Sequence, residues 1–304
     1  MECNAVKPFV MNTTRRLRAT GSEYEPVLSL RCQKTRKLTF MERSMYPIDM
    51  TPMSDEFRTL WFAAGSHLQS CMDGGANTWL RSHHTPPYLE HLSFILGNQL
   101  FFIFLIDADG VVESPGSLRG LQRVTEACQG VPCLMPMRRA IGTDVWHPAT
   151  PGWGLLHAAT HEPVMPPELI SDEAIEMTDW ELQDFAVKIV RNDLEAKGHE
   201  LMSWNADPEV SPNIWFVGDS QGPEWITVRA ARYPSRCAIR PDNLATLELS
   251  VHGFPCIGHF ASVSFANADD PFDPMASSTG NFLPLWRGHK AAAFYDGLES
   301  AKLS

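Results

Sequence analysis

No stretch of this chain is apolar for long enough to cross a membrane; the longest run, around Leu100–Ile106, has the length of a strand. The N-terminus lacks the basic start, apolar segment and small-residue cleavage site of a secretory leader, so the expectation is a cytoplasmic protein with no membrane partner. Cysteine is sparse and odd in number, seven residues without a framework, which fits reduced thiols better than a disulfide scaffold. There is no Gly-rich phosphate loop of the Walker type, no Ser-centred nucleophile elbow and no HExxH pair. No internal repeat or low-complexity tract is visible. Positive charge is scarce too: the formal net is −11, which argues against a broad phosphate-binding surface and leaves room only for a local patch.

What is present is the composition of a globular chain, 44% apolar over 304 residues, enough for a sizeable core in one large or two modest domains. Residues 1–40 hold eight Lys or Arg against three acids, a local +5 on a body of −16. Residues 1–45 therefore read as a basic, flexible arm. From Ser54 the pattern is helical, with Phe57, Leu60, Trp61, Ala64 and Leu68 on one face and Asp73, Gly74 and Gly75 as its stop. Tyr88–Leu96 reads as a short element, Gly97-Asn98 as a turn, and Gln99–Asp107 as a strongly apolar strand. Asp109-Gly110 reads as a hairpin turn into Val111–Glu113. A helix over Ser117–Cys128 follows, and then a Pro-rich region, Val131–Pro167, expected to be irregular. It separates an N-terminal α+β domain (46–165) from a second domain (166–304).

The second domain opens on the clearest pattern in the chain. Leu182, Phe185, Ala186, Ile189, Val190 and Leu194 recur at helical spacing, Thr178 and Glu181 form a capping box, and Gly198 is the stop. Three strands are expected next, at His199–Trp204, Asn213–Val217 and Trp225–Ala230. Ile226 and Val228 should face one side of the sheet, and Trp225, Thr227 and Arg229 the other. Further strands are expected at Thr246–Val251 and His259–Phe265, with a closing apolar element over Leu283–Gly297. The fold class is α+β, or α/β, with a mixed sheet and packed helices.

A helix ending in Gly, a strand, a Pro-x-Ile strand and a hydrophobic-x-hydrophobic-basic strand together resemble the core of the PD-(D/E)XK, or restriction-endonuclease-like, superfamily. The resemblance implies a Mg²⁺-dependent nuclease in which an Asp after the Pro and an acid two residues before a Lys hold the metal. Aligned on Pro212 and Val228, this chain has Asn213 for the Asp, Thr227 for the acid and Arg229 for the Lys. An amide and a hydroxyl bring no negative charge, and a permanently protonated Arg is no base. The resemblance thus implies a degenerate site on a non-catalytic binding or regulatory protein, with protein or nucleic-acid partners and no cofactor. The alternative is a Mg²⁺-dependent nuclease that recruits Glu181, Asp207, Asp219 or Glu224, although Glu181 also serves as a cap. The missing helix after Arg229 departs from the family pattern.

Two smaller signals have plain structural explanations beside the chemical ones. Phe101–Asp107 followed by Asp107-Ala-Asp109-Gly resembles the first motif of haloacid-dehalogenase-like phosphatases, and the same residues make a hairpin turn. His157 and His161, with His147 upstream, are spaced for zinc but lie between Gly152-Trp-Gly154 and Pro163, where there is little room for a helix.

Overall fold

The computed structural model describes residues 54–72, 79–82, 84–85, 88–89, 91–219, 222–242, 244, 257–270, 280 and 282–301. The basic arm, the Asp73 stop and the expected strand at Thr246–Val251 lie outside them. Residues 48–304 form one compact unit, and its described part is α+β, with three α-helices on two mixed sheets.

The first sheet begins with helix α1 (Asp55–Cys71), capped by Ser54 accepting from Phe57 N–H. Its apolar stripe lies over one face of the sheet that opens with strands β1 (Trp79–Arg81), β4 (Ser93–Leu96) and β5 (Gln99–Asp107), which pair antiparallel in that order. A two-strand ribbon, β2 (His84–Thr85) with β3 (Tyr88–Leu89), is inserted between β1 and β4. Helix α2 (Leu118–Cys128) then carries the chain back to β6 (Val131–Arg139), parallel to β5, and β7 (Trp146–Pro148) and β8 (Leu156–His157) pair antiparallel with β6.

Two sequence expectations are corrected here. Asp109-Gly110 does not open a hairpin. The Asp107 carboxylate captures the N–H groups of Asp109, Val111 and Val112 at 2.9–3.0 Å and turns the chain toward α2. Burial would raise the pKa of Asp107, but those three amides, with Arg139 nearby, hold it below the usual carboxylate value. Every acceptor oxygen of that side chain is thus engaged structurally. Nor is Val131–Pro167 irregular throughout, since its first nine residues are β6. Pro132 and Pro136 are tolerated because both face away from β5: their carbonyls accept from Ala158 and Ala149, on the discontinuous β7 and β8 side, where an absent N–H costs little. His157 is likewise used locally, its Nδ1 accepting from Ala159 and Thr160 N–H at 3.3 Å.

The second sheet repeats this plan. Helix α3 (Asp179–Ala196) carries the full Thr178–Glu181 capping box and ends at Gly198, whose φ is +84°. Strands β9 (Glu200–Trp204), β10 (Ile214–Val217) and β11 (Pro223–Arg232) pair antiparallel in that order. The chain crosses over and returns as β12 (Ile257–Asn267), parallel to β11, and β13 (Ala291–Tyr295) and β14 (Glu299–Ser300) pair antiparallel with β12. In each sheet the opening helix covers one face, and the crossover packs on the other, in the second sheet through its described residues Ala238 and Leu244. Phe101, Ile103 and Leu105 pack with α1, while Leu100 and Phe102 pack in the cluster of α2. Correspondingly, Ile226 and Val228 pack with α3, and Trp225 packs with Leu244 of the second crossover. The alternation expected for β11 therefore holds. Trp180 belongs to the α2 cluster, edge-on to Phe102.

Cys128 and Cys133 are buried free thiols, and burial pushes both pKa values up to about 12. The fold thus favours their neutral form, a contribution fully present below pH 9 and lost as pH rises from about 9 through 12. Iodoacetamide at pH about 8 is expected to modify exposed Cys237 in the native protein and to spare Cys128 and Cys133 until denaturant is added. Peptide mass mapping checks this, and rapid native labelling of Cys133 would contradict the described core.

Candidate functional site

Strand β10 starts one residue too late to pair with all of β11. The ladder runs from Val217–Pro223 to Ile214–Ile226, and the next acceptor that Val228 N–H would meet lies beside Pro212. Side chains complete this edge instead. Asn213, 1% exposed, accepts from Val228 N–H through Oδ1 at 2.9 Å and donates from Nδ2 to the carbonyls of Asn205 and Asp207. Gln183, buried on α3, donates to Val228 O at 2.9 Å and accepts from Ala230 N–H at 3.1 Å. One amide side chain from the loop and one from the helix thus stand in for a missing strand neighbour. Gln183 was not singled out from sequence; a Gln beside the apolar stripe of α3 was the available signal.

Arg229 lies at this same edge. It donates from Nη1 to Asn213 Oδ1 at 2.9 Å and to Val228 O at 2.7 Å, and from Nη2 to Ser211 Oγ at 2.5 Å. All of these acceptors are uncharged. Burial holds the Arg229 pKa below its ordinary value. Arg229 is thus half-buried and anchored by three oxygens. Thr227, two residues earlier on the same face, is fully buried, and its hydroxyl has no hydrogen-bond partner.

The structure thus brings Asn213 and Arg229 into contact, with Thr227 adjacent along β11. The four other acids are dispersed. Glu181 is 1% exposed and bonded to Arg287 and to its own cap. Asp207 meets Asn213 only through its backbone carbonyl, its carboxylate accepting from Glu209 N–H. Asp219 is exposed in the turn after β10. Glu224, on the opposite face from Arg229 and roughly 16 Å away along β11, is buried against His259 Nε2 at 2.7 Å. Among the described residues no group of three or more His, Cys, Asp or Glu side chains is arranged to hold a metal ion.

Residues 180–301 match the family model of a domain of unknown function (DUF8840). The matched segment spans the second sheet from α3 to β14, one complete repeat of the plan described above. No curated protein and no solved structure matches the chain. Aligning the two sheets on the pairs Phe94–Phe101 and Ile214–Ile226 puts Ser93, Phe102 and Phe104 where the second has Asn213, Thr227 and Arg229. The cation therefore belongs to the matched half, and its counterpart in the first sheet is aromatic.

Proposed function

We propose that this chain is a non-catalytic binding or regulatory protein, built on a restriction-endonuclease-like scaffold whose metal position is filled by Arg229. One observation carries the reading: the Arg229 guanidinium is bonded to an amide oxygen, a backbone carbonyl and a hydroxyl, the neutral oxygens among which a divalent ion would otherwise need carboxylates. The order of elements supports it, with a helix, three antiparallel strands and a parallel fourth. The partner is a protein or a nucleic acid met through a local patch, and the protein works in the cytoplasm, in keeping with its free Cys71, Cys128, Cys133 and Cys237.

Calorimetric titration with Mn²⁺ tests the reading. The wild type should show no tight site, and the triple change Asn213→Asp, Thr227→Glu, Arg229→Lys should create measurable affinity by adding two carboxylates and replacing the bonded fork. Asp at 213 keeps the acceptor that Val228 N–H requires. Tight Mn²⁺ binding by the wild type, together with cleavage of DNA or RNA, would replace this reading with that of a Mg²⁺-dependent nuclease using relocated acids.

A further inference from the structure

Arginines that lose water in a fold are normally given a carboxylate, and this protein does so repeatedly. Arg81 pairs with Asp184, Arg232 with Glu176 and Asp179, Arg240 with Glu299, and Arg287 with Glu181. Arg229 breaks the habit. It is half-buried, the groups it donates to are neutral, and no carboxylate accepts from it among the described residues. In a chain of net charge −11 a counter-ion would have been easy to supply. A desolvated cation without one has its attraction for an anion unspent.

The face of the sheet around it has the donors that an oxyanion needs. Ser262 is the residue paired with Arg229 across β11 and β12, so the two side chains rise from the same face, and Thr227 stands two residues before Arg229 on that face. The oxygens of Ser211 and Ser262 already accept, from Arg229 Nη2 and from Ala238 N–H, which leaves each hydroxyl hydrogen to donate elsewhere. One guanidinium and two hydroxyls with hydrogens to give, on three partly exposed residues, form a charge-assisted donor set that matches the several acceptor oxygens of a phosphate group. A metal site would require the reverse, acceptors without a fixed cation.

We infer that Arg229, with Ser211 and Ser262, binds a phosphate group, free or as a phosphomonoester, on the face of the second sheet opposite α3. The inference rests on the reading above in one respect, that Arg229 is a fixed cation at the centre of the site. A single cation suits one small anion and not a polyanion, in agreement with the acidic character of the chain.

The test uses the full chain, titrated calorimetrically with inorganic phosphate in a chloride buffer, with phosphoserine as a second probe. Wild type should bind phosphate with a dissociation constant in the millimolar range or below, weakening as salt is raised. Arg229→Gln should weaken it about tenfold or more, the loss expected for one charge-assisted pair. Because Arg229 also braces Asn213, Ser262→Ala serves as a second variant, which should stay folded and bind several-fold more weakly. Tighter binding of phosphoserine than of phosphate would identify the monoester as the source, and equal binding the free ion. Absence of phosphate binding by the wild type, or unchanged affinity in folded Arg229→Gln, overturns the inference. Such a failure leaves the Mn²⁺ experiment untouched, whereas tight Mn²⁺ binding by the wild type would refute the filled metal position whatever phosphate does.

Discussion

Arg287→Ala is expected to destabilise the protein by about 3–5 kcal/mol, the cost of stranding a buried carboxylate. Arg287 and Glu181 are each 1% exposed and meet in a two-point fork, Nε to Oε1 at 2.9 Å and Nη2 to Oε2 at 2.8 Å. The remaining donors reach the carbonyls of Cys128 and Gln129 at the C-terminus of α2, where the helix dipole favours a cation. Oε2 of Glu181 also accepts from the N–H and hydroxyl of Thr178. One guanidinium therefore ties the start of α3 to the end of α2 and to the segment before β13. Glu181→Ala should cost at least as much, since it strands the cation and removes half of the capping box. The double change Arg287→Leu, Glu181→Met should cost less than either single, because no charge is left buried. Urea midpoints of the four proteins check this, and single variants within about 0.5 kcal/mol of wild type would show that the pair is dispensable. Because the fork joins α2 of the first sheet to α3 of the second, both halves are expected to unfold in one transition.

Features decided within a few residues were legible in the sequence. The capping box at Thr178, the stop at Gly198, the bounds of Gln99–Asp107 and the alternation along β11 all follow from local pattern, and the structure has each of them. Features decided by distant partners were not. Pro132 and Pro136 argue against a strand until one knows that both lie on the edge facing away from β5. The parallel return of β6 and β12 depends on pairing across long crossovers, which no local period announces. The repeated plan of the two sheets is invisible for the same reason: it is carried by strand order and faces, while corresponding residues such as Phe104 and Arg229 share no chemistry. At the candidate site, Asn213, Thr227 and Arg229 could be picked out from one strand pattern. That Asn213 would bond Arg229, that Gln183 would complete the edge from a helix, and that Ser262 would stand beside the guanidinium could not, because those neighbours come from other parts of the chain.

Trp225→Ala should cost about 3–5 kcal/mol, as expected when a fully buried large aromatic is truncated. Trp225 is 0% exposed and lies over Gly258, its partner residue across the parallel β11–β12 ladder, with Leu244, Phe260 and Ala301 around it. A Cβ built on Gly258 would sit well inside van der Waals contact with the six-membered ring of the indole. The glycine therefore serves the packing of that ring rather than the path of the backbone. Gly258→Ala should in turn cost about 1–3 kcal/mol through overpacking of a side chain that has no room to retreat. The two losses should not add. With Trp225→Leu already in place, the space above residue 258 is open, so Gly258→Ala should become nearly neutral, and the coupling in a double-mutant cycle should exceed about 1 kcal/mol. Trp225→Phe separates packing from polarity: the indole N–H is buried without a partner, so part of the cost of the lost ring is offset by removing an unsatisfied donor. It should fall well below Trp225→Ala in a series of urea midpoints. Additive effects of Trp225→Leu and Gly258→Ala would mean that the indole is not packed on residue 258, and that the second crossover is held to its sheet by other contacts.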